Sequence, residues 1–163
     1  MLLFTRRLEL KGEQLQRIKE YCLSGKPIVA VRTASHGIQS WLAFDHEVLG
    51  GNYQGHYGSD LPTKVRIAAN AREHPILKGV NPFVSHASLY KNHGHARDLN
   101  ILLTGNNTIE TEPIAWTRKY KNGRLFYTSL GHPDDFEQES FRRLVANGLF
   151  WTSGREVPVP RNR

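Results

Sequence analysis

Two segments of the chain bring proton-handling and oxygen-binding side chains to a position that open α/β sheets reserve for ligands. The first is Arg32-Thr33-Ala34-Ser35-His36-Gly37, directly after the apolar run at residues 27–31. The second is Ser129-Leu130-Gly131-His132-Pro133-Asp134-Asp135, directly after the apolar run at residues 125–128. Polar residues just beyond the carboxyl ends of buried strands sit where such sheets bind small molecules. Imidazole and carboxyl groups suit proton transfer, and a guanidinium suits an oxygen that carries charge. Either segment alone reads equally well as a strand-to-helix turn or a capped helix start. Two of them in one sheet shift the balance towards a site. A glycine-rich stretch at residues 49–58 adds His56 and Tyr57; its glycines serve either a tight turn or the close approach of backbone to a ligand. His93-Gly94-His95 offers two imidazoles, but no carboxylate or thiol has metal-ligand spacing to them, so an exposed polar loop is the better reading. His46, His74 and His86 read as structural or surface residues.

The elements that must hold these groups follow from periodicity. Leu2 opens a short apolar run suited to a buried strand, and Leu15, Ile18, Tyr21 and Cys22 then recur at helical spacing up to the stop signal Ser24-Gly25. Pro27-Ile28-Val29-Ala30-Val31 is a continuous apolar strand of the kind covered on both faces. Strand, helix and strand with crossover length between the strands make a βαβ unit, and an α/β fold follows. Val65, Ile67 and Ala69 alternate with polar residues as in a half-exposed strand, and Ile101-Leu102-Leu103-Thr104 predicts another buried one. Asn122-Gly123 between two apolar runs predicts a hairpin. Asp134 with Glu137 three residues on predicts a capping box for a last helix with the apolar face Phe141, Leu144, Val145, Gly148 and Leu149, ended by Gly154. The expected organisation is one α/β domain over residues 1–154 and an extended tail over 155–163.

Composition narrows the classes. The chain has 163 residues, 39% of them hydrophobic and 23% charged, enough for one domain with a real core. One Cys excludes an internal disulfide framework and any CxxC motif. No apolar run approaches a membrane span, so no membrane partner is expected. The net charge of +7 is spread along the chain without a nucleic-acid motif, which argues for a solvated basic surface rather than a nucleic-acid partner.

A set of local patterns occurs in order over most of the chain: Leu49-Gly50-Gly51 followed by His56, His74-Pro75-Ile76 with Lys78-Gly79, and Pro113-Ile114-Ala115-Trp116. Gly123-Arg124-Leu125-Phe126-Tyr127-Thr128, Gly131-His132 and Asn147-Gly148-Leu149-Phe150-Trp151 continue it. Together they resemble the ThuA-like (trehalose utilisation) domain family of the class I glutamine amidotransferase-like group. The resemblance implies a flavodoxin-like parallel sheet with flanking helices, a role in carbohydrate metabolism, and a sugar or keto-sugar as ligand. In the wider group, the strand like residues 27–31 leads into a Cys nucleophile at a tight elbow, and a partner His lies in a His-Pro-Glu motif. Here Arg32 stands at the elbow, where ThuA-like proteins often have His. Arginine stays protonated and is neither nucleophile nor base, which argues against glutamine amidotransferase activity. His132-Pro133-Asp134 does resemble the His-Pro-acid half. The resemblance also implies that a strand and helix of the family are missing before Leu2; the open sheet edge left behind would favour a homo-oligomer.

Within this resemblance the expected catalytic group is His132, as general acid or base, oriented by Asp134 or a backbone carbonyl, with Arg32 holding an anionic or carbonyl oxygen. Ser35, His36 and Tyr57 would bind sugar hydroxyls, His56 would bind ligand or metal, and Trp41 and Tyr90 would offer flat faces to the ring. Hydrolysis and isomerase-type proton transfer at a keto-sugar carbon both fit, and the sequence does not choose between them. The sequence specifies no cofactor, and His36, His56 and His132 would suffice for a divalent metal such as zinc if they converged. The alternative is a non-catalytic binding or assembly module that keeps the fold. The expected compartment is the cytoplasm, unless a longer natural chain carries a secretion signal.

Overall fold

Four consecutive apolar residues, Ile28 to Val31, need cover on both faces, and all four are buried in the middle of the molecule. The computed structural model describes residues 1–59 and 61–159; the last four residues of the expected tail lie outside them. In chain order the strands are β1 (Leu2–Leu3), β2 (Ile28–Val31), β3 (His56–Tyr57), β4 (Thr63–Ile67), β5 (Phe83–Ser85), β6 (Leu89–Tyr90), β7 (Asn100–Asn106), β8 (Thr111–Tyr120) and β9 (Gly123–Thr128). The helices are α1 (Gly12–Leu23), α2 (Ala34–Gly37) and α3 (Glu139–Thr152).

Seven strands form one sheet in the order β1-β2-β9-β8-β7-β4-β5, and β3 pairs with β6 apart from it. The fold is α/β with flanking helices, and the sheet is parallel at one side, where β1, β2 and β9 run together. The other pairings are antiparallel, and two of them, β7–β8 and β8–β9, are hairpins. The β8–β9 hairpin turns on Lys121 and Asn122, at φ 47° and 68°, one residue earlier than the Asn-Gly pair predicts. Gly123 serves another purpose. A Cβ there would lie 2.4 Å from the Gly25 carbonyl oxygen, so its bareness lets two turns touch.

The alternation along β2 and β9 divides the core between the two faces of the sheet. Val29, Val31 and Phe126 pack with Phe141 and Leu144 of α3, whereas Ile28, Ala30, Leu125 and Tyr127 share a cluster with Cys22 of α1, Phe44 and Trp116. Gly148 lets α3 approach closely: an added Cβ would meet the Phe126 ring at 2.4 Å. The helix ends at Thr152, with Gly154 at φ 76° beyond it, and Val157 is buried again. This packing fixes the carboxyl ends of β1, β2 and β9 side by side.

Candidate functional site

Chain leaves β2 through Arg32, which adopts φ 51°, a conformation that few residues other than glycine enter without cost. Two hydrogen bonds hold it there. The Arg32 amide donates to the Thr128 carbonyl at 2.7 Å, and the Tyr127 hydroxyl donates to the Arg32 carbonyl at 2.9 Å. The sharp elbow turns residues 33–36 back over the sheet edge. It carries the Arg32 side chain and the His36 ring into one cleft of about 540 Å³, a size suited to a small ligand. The segment that follows β1 supplies the other wall through Phe4, Thr5 and Arg6, and Tyr53, His56, Ser88 and Tyr90 close the far side.

The aromatic wall is ordered by stacking. His36 lies on Tyr53 with ring centroids 3.9 Å apart and planes 12° apart, and Tyr53 meets Tyr90 edge-on at 4.6 Å. The Arg32 guanidinium sits 5.7 Å from the centre of the Tyr90 ring. Burial, then the charges of Arg32 and Arg6, hold the His36 pKa below the usual imidazole value, so its ring is neutral at pH 7. Its Nδ1 lies 3.0 Å from the Ser35 hydroxyl, and among the described residues nothing bonds Nε2. Burial pushes Tyr90 up to about 12, against the pull of Arg32, so its phenol stays protonated. His56 is tied through Nδ1–H to the Gly58 carbonyl at 3.2 Å.

His132 occupies an adjoining, smaller cleft of about 290 Å³ with Ser59, His86 and Asp134. Its neighbours Gly131 and Pro133 line the larger cleft, so the residue stands on the partition between the two. The predicted capping box is present but shifted: His132, not Asp134, caps the short turn Pro133–Glu137, and α3 begins only at Glu139. The cause is Asp135. Fully buried, its Oδ2 accepts the amides of Gly131 at 2.8 Å and His132 at 2.9 Å and pins the start of the turn. His132 Nδ1 accepts the Asp134 amide at 3.3 Å and lies 3.5 Å from the Asp134 carboxylate. The His86 ring, read from the sequence as structural or surface, stands 6.2 Å from that of His132.

Of the residues singled out in the sequence, Arg32, His36, His56 and Tyr90 line one cleft, and His132 and Asp134 line the next. Three others are outside the lining of both. Ser35 is buried beneath His36. Tyr57 donates to the buried Glu112 carboxylate at 3.0 Å and sits 2.8 Å from His93 Nε2. Trp41 packs on Phe44 and donates to Glu47. Among the described residues no three His, Cys, Asp or Glu side chains gather as a metal site; His36 and His56 share one cleft and His132 belongs to the other. Cys22, the one cysteine, is fully buried on α1, and burial pushes its thiol up to about 11. Phe4, Thr5, Arg6, Tyr53 and Ser88 were not anticipated. The signal for the first three was available, since they follow β1 as Arg32 follows β2.

A mixed sheet with an arginine elbow and a polar, aromatic cleft at the ends of its parallel strands defines an α/β protein with a candidate site at that edge. The family model for ThuA, trehalose utilisation, matches residues 1–152, and the chain belongs to that family. Its function is therefore carbohydrate-related. Among curated proteins nothing matches. Among solved structures, a ThuA-like protein from Parabacteroides merdae superimposes with a TM-score of 0.74 at 19% identity, covering 96% of this chain and 71% of its own. A ThuA-like protein from Bacteroides uniformis gives 0.72 at 19% identity, with 95% and 69% covered. A β-galactosidase from Bacillus circulans gives 0.61 at 13% identity, with 93% of this chain but 22% of that one covered. These likenesses establish the fold. Among the described residues no helix is long and apolar enough to cross a membrane.

Proposed function

We propose that the Arg32 cleft binds a sugar or keto-sugar and moves a proton on it by imidazole chemistry, without a cysteine nucleophile. The observation that carries this reading is the junction in one cleft of Arg32 and a neutral His36 stacked on Tyr53. A guanidinium polarises a carbonyl oxygen or binds an anionic one. A neutral imidazole can then take the proton from the adjacent carbon or hydroxyl. His36 is the base that the geometry favours because it lines the same cleft as Arg32. His132, at the partition beside Asp134, is positioned to return the proton to a ligand that reaches over Gly131. Tyr53 and Tyr90 present apolar ring faces and protonated phenols, the pairing of surfaces that a sugar offers in reverse.

The test is solvent-proton exchange. Fructose and trehalose are incubated with the protein in D2O and followed by NMR. Deuterium entering a carbon next to the fructose carbonyl, lost in His36→Ala, supports proton transfer at this site, and slowing in His132→Ala gives that residue its share. Sugar binding with neither exchange nor hydrolysis would replace the enzyme by the binding module, a reading favoured by the recurrence of this fold as 22% of a β-galactosidase chain.

A further inference from the structure

Two arginines face the large cleft, Arg32 after β2 and Arg6 after β1, because parallel neighbouring strands deliver the residues that follow them to one edge of the sheet. Among the described residues no carboxylate lines that cleft, and neither arginine is paired with one. Arg17, Arg118 and Arg143, in contrast, each have a carboxylate within 2.6 to 2.8 Å. Both cleft arginines lie near enough to His36 that, after burial, their charges disfavour its protonated form. The elbow fixes Arg32 in advance, so an incoming anion meets a guanidinium whose backbone is already ordered. Arg6 is exposed at the rim and Arg32 half-buried at the elbow; two like charges that line one cleft repel one another, and a ligand anion between them removes that cost while gaining charge-assisted hydrogen bonds.

We infer that the physiological ligand is anionic: a polyhydroxylated carbon chain carrying a carboxylate or phosphate, which Arg6 and Arg32 grip together. This rests on the sugar-site reading above and narrows it from sugars in general to sugar acids or sugar phosphates. Arg32 alone would serve a neutral keto-sugar. Arg6 is the residue that the anion explains.

Calorimetric titration of the full chain at low ionic strength, with gluconate, glucose 6-phosphate, glucose and inorganic phosphate as probes, tests the inference. Gluconate or glucose 6-phosphate should bind at least about tenfold more tightly than glucose, and the better of the two identifies the anionic group. Arg6→Gln should cut that preference by about tenfold, whereas Arg17→Gln, which removes the same charge from an exposed ion pair on α1, should leave it intact. Equal affinity for glucose, gluconate and glucose 6-phosphate would overturn the anionic ligand while leaving a sugar site standing. Inorganic phosphate binding as tightly as glucose 6-phosphate would overturn the sugar part of the inference, and binding of none of the four would overturn both readings. Loss of preference in Arg17→Gln equal to that in Arg6→Gln would reduce the effect to net charge and refute the clamp.

Discussion

Arg32 is held at φ 51° by contacts from two flanking strand residues, and that conformation lets its cost to folding be separated from its use. The left-handed region costs an L residue roughly 1–2 kcal/mol, while glycine loses about 0.5–1 kcal/mol more chain entropy on folding than alanine does. Both Arg32→Gly and Arg32→Ala lose the same side chain, so the difference between them isolates the backbone. Glycine should therefore be the more stable of the pair by about 0.5–1 kcal/mol. That corresponds to roughly 1–4 °C in Tm for a chain of this size. The side chain itself contributes little to the fold, since its polar contact, to the Ser129 carbonyl, is long at 3.5 Å. Arg32→Gly should accordingly match or slightly exceed wild type in stability while losing at least about tenfold in affinity for a sugar acid. Urea denaturation read by tryptophan fluorescence gives the first quantity and calorimetry the second. An alanine variant as stable as the glycine variant would show that the elbow is not left-handed in solution. Retained affinity in both variants would show that the arginine is not the anchor.

Other consequences follow from buried groups and the sheet edge. Burial pushes the Asp45 carboxyl from 3.8 up to about 6, against the opposing bond from the Tyr53 amide. A carboxyl that holds its proton more tightly folded than unfolded stabilises the fold below about pH 4, and that contribution is lost as pH rises through about 6. Asp45→Asn cannot titrate, so its stability relative to wild type should rise by about 1–3 kcal/mol between pH 4 and 7; a pH-independent difference in urea denaturation would refute the assignment. Gly148→Ala drives a methyl into the Phe126 ring and should lower stability by about 1–3 kcal/mol despite alanine's better helix propensity, with an unchanged or raised Tm as the contrary result. Among the described residues the outer edge of β1 pairs with no strand, and Leu2 on it and Phe4 just beyond it are exposed; we propose that copies of the chain associate there, so light scattering at micromolar concentration should give more than the monomer mass, and a monodisperse monomer would count against it.

How far the sequence leads depends on whether the deciding contacts are local. The β2 strand, the α1 period and the α3 face are legible because their apolar spacing is read within a dozen residues. The elbow position is legible for the same reason, since Arg32 simply follows an apolar strand. The hairpin turn shifts by one residue because Gly123 answers to Gly25, nearly a hundred residues away in sequence. The α3 start shifts because a buried Asp135 outcompetes Asp134 as the organising carboxylate. The cleft is a meeting of β1, β2 and the glycine loop: Arg6 is open to the same reading as Arg32 because it follows an apolar strand, whereas Tyr53 joins the site through tertiary packing that local patterns do not contain. Trp41 and Tyr57 look like ligand-binding aromatics by type, but their polar groups are occupied by Glu47 and Glu112.

The central claim is that the Arg32 cleft is where a sugar-derived ligand binds, and amide chemical-shift mapping of the full chain during a gluconate titration tests it most directly. The account predicts shifts concentrated at residues 4–6, 32–36, Tyr53 and Gly131. Shifts centred instead on the separate pocket of Arg72, His74 and Lys78, or none at saturating gluconate and none at saturating glucose 6-phosphate, would contradict it.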